Sequence, residues 1–156
     1  MDKMIKQEDF INNLLALFDE TFDNTRGIYL DKDTSLFRTL ETVSSQEASI
    51  PVGGKCASLA AQVAHVTFYL EVMEKYFLKQ EIGKLDWSEV WRTVEKVTPE
   101  EWDESKRKLK DAYQHIEKLF QNNATWDDDT IGGSMAIVVH TAYHLGEIRQ
   151  ALCTLK

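Results

Sequence analysis

Four long segments of this 156-residue chain repeat apolar residues every three or four positions, the spacing of one face of an α-helix. They span about residues 7–23, 55–79, 99–121 and 133 or 134 to 154. The chain holds only 2 prolines and 7 glycines, fewer than the many turns of an all-β fold would need. We therefore predict an all-α fold, a four-helix bundle, as a single domain over residues 1–156.

Two of the predicted helices have clear starts. The third begins with a capping box, in which Thr98 is the N-cap, Pro99 occupies the first helical position and Glu101 the third. Three aspartates at 127–129 precede the fourth helix, where negative charge suits the helix dipole.

Long connections follow the first and second helices, at 25–54 and 81–97, and loops of this length are often functional. The first connection holds a short helical candidate at 34–43. The second contains Trp87 and Trp91, which we expect to dock on the bundle.

Charge and cysteine usage narrow the class of protein. With 18 basic and 26 acidic residues the net charge is -8, which disfavours binding to a nucleic-acid phosphate backbone. The most apolar stretch, 56–70, is interrupted by Gln62 and His65 and is shorter than the roughly 20 residues of a membrane span. Cys56 and Cys153 are far apart and form no C-x-x-C pair, so we expect reduced thiols in a cytoplasmic protein without membrane or nucleic-acid partners.

Two of the four histidines share one helix face. His140 and His144 are four residues apart, which places both imidazoles about one turn apart on the fourth helix. H-x-x-x-H is the spacing by which one helix supplies two ligands in zinc metalloproteases, although no glutamate follows His140 here. The same face carries the small residues Ala136 and Ala151, which leave room beside the imidazoles. The spacing also arises by chance, so the pair alone is a weak signal.

His65, on the second helix, is the candidate third ligand. We predict that it lies level with His144, because each is about ten residues into its helix and an up-down-up-down order would make these helices parallel. Three histidines with an open fourth position are typical of catalytic metal sites. The alternative for His65 is a core histidine bonded to a carbonyl or tyrosine. Three imidazoles at one level, however, would be buried without any gain in packing.

Two further residues have open roles. Glu147 lies on the face of His144, one turn further along the helix. It is either a fourth ligand, a hydrogen-bond partner that orients an imidazole, or a salt-bridged helix residue. The first is least favoured, since a carboxylate ligand would close the open position. His115 falls about 100° from the centre of the apolar stripe of the third helix and is interpreted as a structural boundary residue.

Two segments resemble the DinB/YfiT-like superfamily: His-Thr-Ala-Tyr-His-Leu-Gly-Glu-Ile-Arg-Gln at 140–150, and Leu-Ala-Ala-Gln-Val-Ala-His at 59–65. Helix number, the long first crossover and chain length also fit, so the resemblance covers essentially the whole chain. It implies a four-helix bundle whose metal ligands are His65, His140 and His144. The position of Glu147 is commonly glutamine in the family, so the resemblance assigns it no role.

The resemblance also implies a function. Family members with assigned activities include thiol-dependent transferases and isomerases that use low-molecular-weight thiols, and many form dimers. It therefore implies a homodimeric, thiol-dependent transferase that acts on small electrophilic molecules through a metal-bound thiolate. The expected cofactors are a divalent metal ion (zinc, nickel, iron or manganese) and a low-molecular-weight thiol. The residues themselves leave two alternatives open, a metal-dependent hydrolase and a non-catalytic stress protein that binds a metal or a small molecule.

Overall fold

The computed structural model describes residues 4–123 and 125–155 of the predicted domain, and every regular element within them is helical, as expected for the all-α class. The α-helices of these residues are, in chain order, α1 (Gln7–Phe22), α2 (Leu36–Glu41), α3 (Ser45–Ala48), α4 (Leu59–Phe77), α5 (Glu89–Thr93), α6 (Pro99–Asn122) and α7 (Asp128–Leu155). A short 3₁₀ turn at Val52–Gly54 precedes α4. No single helix in the described part of the chain is long and apolar enough to cross a membrane. Ser45–Gly54 and Leu59–Phe77 meet that test only as a pair bent by 100°.

Side-chain caps set the starts of α4 and α6. The predicted box is confirmed: Thr98 Oγ1 accepts from the backbone N–H of Glu101 at 3.2 Å, and the Glu101 carboxylate accepts from the N–H of Thr98 at 2.8 Å. Helix α4 begins at Leu59, later than predicted, because Ser58 Oγ accepts from the N–H of Ala61 at 3.2 Å and caps the helix there.

Helix α7 begins at Asp128, earlier than predicted. Asp127 Oδ1 accepts from the N–H of Thr130 at 2.9 Å, and the Thr130 hydroxyl accepts from the N–H of Asp127 at 2.9 Å. Gly133, expected near the helix start, lies inside the helix instead. A Cβ added there would come within 3.3 Å of Met73 Cε, so the glycine allows α7 to pack closely on α4.

The four long helices pack in pairs. Helix α4 contacts both α6 and α7, and α1 contacts the same two helices. Between α1 and α6 the core is aromatic: the ring centroid of Phe18 lies 5.0 Å from that of Tyr113 and 5.2 Å from that of Phe120. Phe18 and Phe120 are fully buried, so these contacts fix α1 against α6.

Helices α4 and α7 run antiparallel, so the prediction of a parallel pair is wrong. Gln62, near the start of α4, hydrogen-bonds Glu147, late in α7, at 3.1 Å. Met73, near the end of α4, packs against Gly133 at the start of α7. His65 and His144 meet because one lies near the beginning of its helix and the other in the second half of its own.

Helices α4 and α7 are antiparallel because the second long connection, at 81–97, makes α6 parallel to α4. At its end, the N–H of Val97 donates to Ser49 Oγ at 3.0 Å, and Ser49 ends the short helix α3, which packs on both α4 and α6. Further along, Phe77 of α4 meets Phe120 of α6, with ring centroids 5.7 Å apart. The connection therefore returns the chain to the beginning of α4, and the short link after α6 then makes α7 antiparallel to α4.

Glu20 of α1 is a fully buried carboxylate that organises the first connection. It accepts four backbone N–H groups at 2.7–3.0 Å, from Arg26, Ile28, Tyr29 and Leu30. Burial opposes ionisation, but these hydrogen bonds outweigh it and lower the pKa of Glu20 to about 2. The carboxylate thus ties residues 26–30 of the loop to α1.

Candidate metal centre

The structure brings together the three histidines that the sequence singles out. One potential ligand atom from each of His65, His140 and His144 lies within 4.8 Å of the other two. His65 comes from α4 and the other two from successive turns of α7. The cluster is therefore assembled across the antiparallel pair of helices, and the three residues lie close enough to bind a metal ion.

The distance between two of the rings fits metal coordination. His65 Nε2 and His140 Nε2 lie 3.1 Å apart. Two nitrogens bound to one zinc ion at about 2.05 Å in tetrahedral geometry would lie roughly 3.3 Å apart. The same 3.1 Å separation suits an N–H···N hydrogen bond between the rings, which is available whenever an ion is not bound.

Burial keeps the three imidazoles neutral. It is the largest cause lowering the pKa of each ring, and for His140 the neighbouring His144 and His65 lower it further, to about 4. For His144 the carboxylate of Glu147 partly opposes this shift. A neutral imidazole has a free lone pair, so at neutral pH the rings are in the protonation state that a metal requires.

Hydrogen bonds fix the orientation of His144. Its Nδ1 lies 2.6 Å from Gln62 Oε1 and 2.9 Å from Glu147 Oε2, and both oxygens are acceptors. Gln62 Nε2 in turn donates to Glu147 Oε2 at 3.1 Å. Nδ1 therefore carries the proton and Nε2 keeps its lone pair, as in many histidine metal ligands. Of the three roles open to Glu147, the geometry matches the hydrogen-bond partner.

Aromatic stacking orients the other two rings. Trp91 stacks on His65 with ring centroids 4.4 Å apart, and Tyr69 stacks on His140 at 3.8 Å. The Nδ1 atoms of both histidines are buried and have no hydrogen-bond partner among the described residues. Packing of flat rings therefore replaces the hydrogen bonds that usually hold an imidazole.

The second connection supplies this cover through α5, as expected from its tryptophans. Trp91 lies over His65, and Trp87 packs on Phe68 with ring centroids 5.3 Å apart. Both indoles stay partly exposed, at 36% for Trp91 and 41% for Trp87. Helix α5 therefore covers the histidine cluster on the side of His65, where the partly exposed Trp91 separates His65 from solvent.

Trp91 should report metal binding through its fluorescence. An open-shell ion such as Ni²⁺ held by His65 would lie close to the stacked indole and quench its emission by energy and electron transfer. We expect Trp91→Phe to remove most of the Ni²⁺-dependent quenching, whereas Trp87→Phe, which alters the same segment without touching a histidine, should retain it. Equal quenching in the wild type and in Trp91→Phe would contradict this placement of the ion.

The remaining candidates lie outside the cluster. The His115 side chain is 56% exposed and lies 3.2 Å from Glu74 Oε1, which agrees with a structural boundary residue. Cys56 and Cys153 are free, exposed thiols, and neither belongs to the cluster. Sequence reasoning missed the role of Gln62. Its only signal was a polar residue one turn before His65 on a mostly apolar helix.

No family model, curated protein or solved structure matches this chain.

Proposed function

We propose that this chain is a metal-dependent enzyme that transfers a low-molecular-weight thiol to small electrophilic molecules. One observation carries the proposal: three imidazoles, those of His65 and His144 buried and that of His140 half-buried, converge within 4.8 Å. The cluster includes no carboxylate from the described residues. Three nitrogen ligands leave a divalent ion a position for an exchangeable ligand, as catalytic sites require. Zinc, nickel and iron suit imidazole, and manganese is also compatible.

The chain's own residues position and insulate the site. Gln62 and Glu147 keep the proton of His144 on Nδ1, and the rings of Trp91 and Tyr69 shield the other two imidazoles from water. A site with less water has a lower effective dielectric, which strengthens its electrostatic interactions. When bound, the metal supplies acidity by lowering the pKa of a thiol or a water molecule that reaches it.

We further propose that the chain is a DinB/YfiT-like four-helix bundle. Support comes from the four long helices, from the packing of α1 and α4 on both α6 and α7, and from the two sequence segments that carry the resemblance. The long connections after α1 and α4 also agree with the expected layout.

A thiol-transfer assay tests the proposed activity. The chain, purified without a histidine tag, is loaded with zinc or nickel and supplied with 1-chloro-2,4-dinitrobenzene and bacillithiol, glutathione or mycothiol. In this reaction the sulfur–carbon bond forms as chloride leaves, and the thiol proton passes to the buffer. We expect a metal-dependent rate with at least one thiol, and a loss of about 100-fold or more in His140→Ala.

The control separates transfer from the other chemistries. If the protein binds one equivalent of metal yet accelerates transfer with none of the three thiols, the transferase proposal fails. Metal-dependent hydrolysis of an activated ester by that same preparation would then identify a hydrolase.

A further inference from the structure

A cleft lies next to the histidine cluster, between the beginning of α4 and the second half of α7. Its volume is about 540 Å³, within the roughly 300–1,000 Å³ of sites that bind small molecules. Apolar side chains, including Val52, Ala57 and Ala151, form much of its wall. Gln62 and Glu147 also line it, and these are the two residues that hydrogen-bond His144. A molecule in the cleft would therefore lie one side chain away from the cluster.

Gly146 leaves part of the cleft wall open. It lies inside α7, where glycine is less favourable than alanine for helix stability. A Cβ added at Gly146 would meet no atom within 4 Å, so helix packing does not require a glycine there. Gly133 differs, since a Cβ there would press on Met73. Since neither helix stability nor helix packing explains a glycine at 146, we attribute it to the space that it leaves in the cleft.

The described residues of the cleft wall carry charge of only one sign. Glu147 lines the cleft, and no lysine, arginine or histidine is among the described residues of its wall. The Glu147 side chain is 37% exposed, so its carboxylate is accessible although it already accepts hydrogen bonds from Gln62, His144 and the Tyr143 hydroxyl. A partly desolvated carboxylate beside apolar walls favours a cation that brings its own apolar surface.

We propose that this cleft binds a small organic cation, an amine or amidine on an apolar body. The cationic group pairs with Glu147, and the apolar part packs against Val52, Ala57 and Ala151. Binding of this molecule requires no metal ion, so the inference goes beyond the proposed transferase activity and can be tested separately from it.

Benzamidine is a suitable probe because it joins an amidinium group to an apolar ring. It is titrated into the ¹⁵N-labelled, metal-free protein while amide resonances are followed, and benzoate serves as the same ring with the opposite charge. We expect saturable shifts of the Gly146 and Glu147 amides with benzamidine, and binding of benzoate at least about tenfold weaker. Benzoate binding as tightly as benzamidine, or no saturable shift in the cleft, would overturn the proposal.

Substitutions in the cleft wall test whether benzamidine binds within the cleft. Gly146→Leu fills the open wall and should weaken benzamidine binding at least about tenfold. Gly132→Leu is the matched control, because Gly132 also lies in α7 with open space around it but is not part of the cleft. Glu147→Gln should weaken binding about three- to fivefold, as expected for a partly exposed ion pair. Unchanged affinity in a folded Gly146→Leu protein would refute the site.

Discussion

Replacing His144 with alanine is expected to remove stoichiometric metal binding. The variant loses the best-positioned imidazole of the cluster, whose Nδ1 is fixed by Gln62 and Glu147. Loss of a residue that only orients a ligand typically costs roughly 10–100-fold in affinity, and loss of the ligand itself should cost more. Metal content after zinc repletion and dialysis, with a chelator competition for the dissociation constant, measures the effect.

Two variants calibrate this result. His115→Ala removes an exposed histidine outside the cluster and should bind zinc like the wild type. Glu147→Gln should fall between the two, because glutamine can still accept a hydrogen bond from His144 but lacks the charge. If His115→Ala loses as much zinc as His144→Ala, or if His144→Ala retains wild-type affinity, the three-histidine centre is wrong. Circular dichroism establishes that each variant is folded.

Replacing Glu20 with glutamine should cause a large loss of stability, on the order of 3 kcal/mol. Glutamine keeps one acceptor oxygen, but it cannot satisfy the four backbone N–H groups that meet the carboxylate. Denaturant unfolding measures the change. The matched control is Glu8→Gln, at the exposed first turn of the same helix, where we expect a change of less than about 1 kcal/mol.

The same carboxylate predicts a pH dependence. The pKa of Glu20 is about 2 in the folded chain, below its ordinary value of 4.5, so the folded state favours the ionised form. Its contribution to stability is therefore complete above about pH 4.5 and is lost as the pH falls from there towards 2. The wild type should lose stability more steeply across this interval than Glu20→Gln. Parallel pH profiles for the two proteins would contradict the assignment.

Local patterns predicted the elements of this fold, and contacts distant in sequence decided their directions. The capping box at Thr98 depends on residues within one turn, and it forms as expected. The relative direction of α4 and α7 depends on the path of the connection between α4 and α6, which periodicity does not determine. The prediction of a parallel pair assumed that each helix reverses the previous one, and the connection after α4 breaks that rule.

The candidate site also combines features that local sequence spacing predicts with contacts that depend on the tertiary fold. The four-residue spacing of His140 and His144 follows from helix geometry, and Glu147 follows one turn later on the same face. Gln62 reaches His144 only because α4 is antiparallel to α7. Trp91 reaches His65 only because α5 folds back over α4. Neither contact has a counterpart in local sequence spacing.

The three histidines come together late in the synthesis of the chain, which bears on how a newly made chain folds. His65 and His140 are 75 residues apart, and α7 is the last helix of the described chain to leave the ribosome. An ion that needs all three imidazoles has no complete binding site until α7 has packed on α4. An ion that bound only the folded chain would add stability by mass action and would help to hold α7 on α4. Without such an ion, newly made chains would rely on packing and on the side-chain hydrogen bonds between α4 and α7 to hold α7.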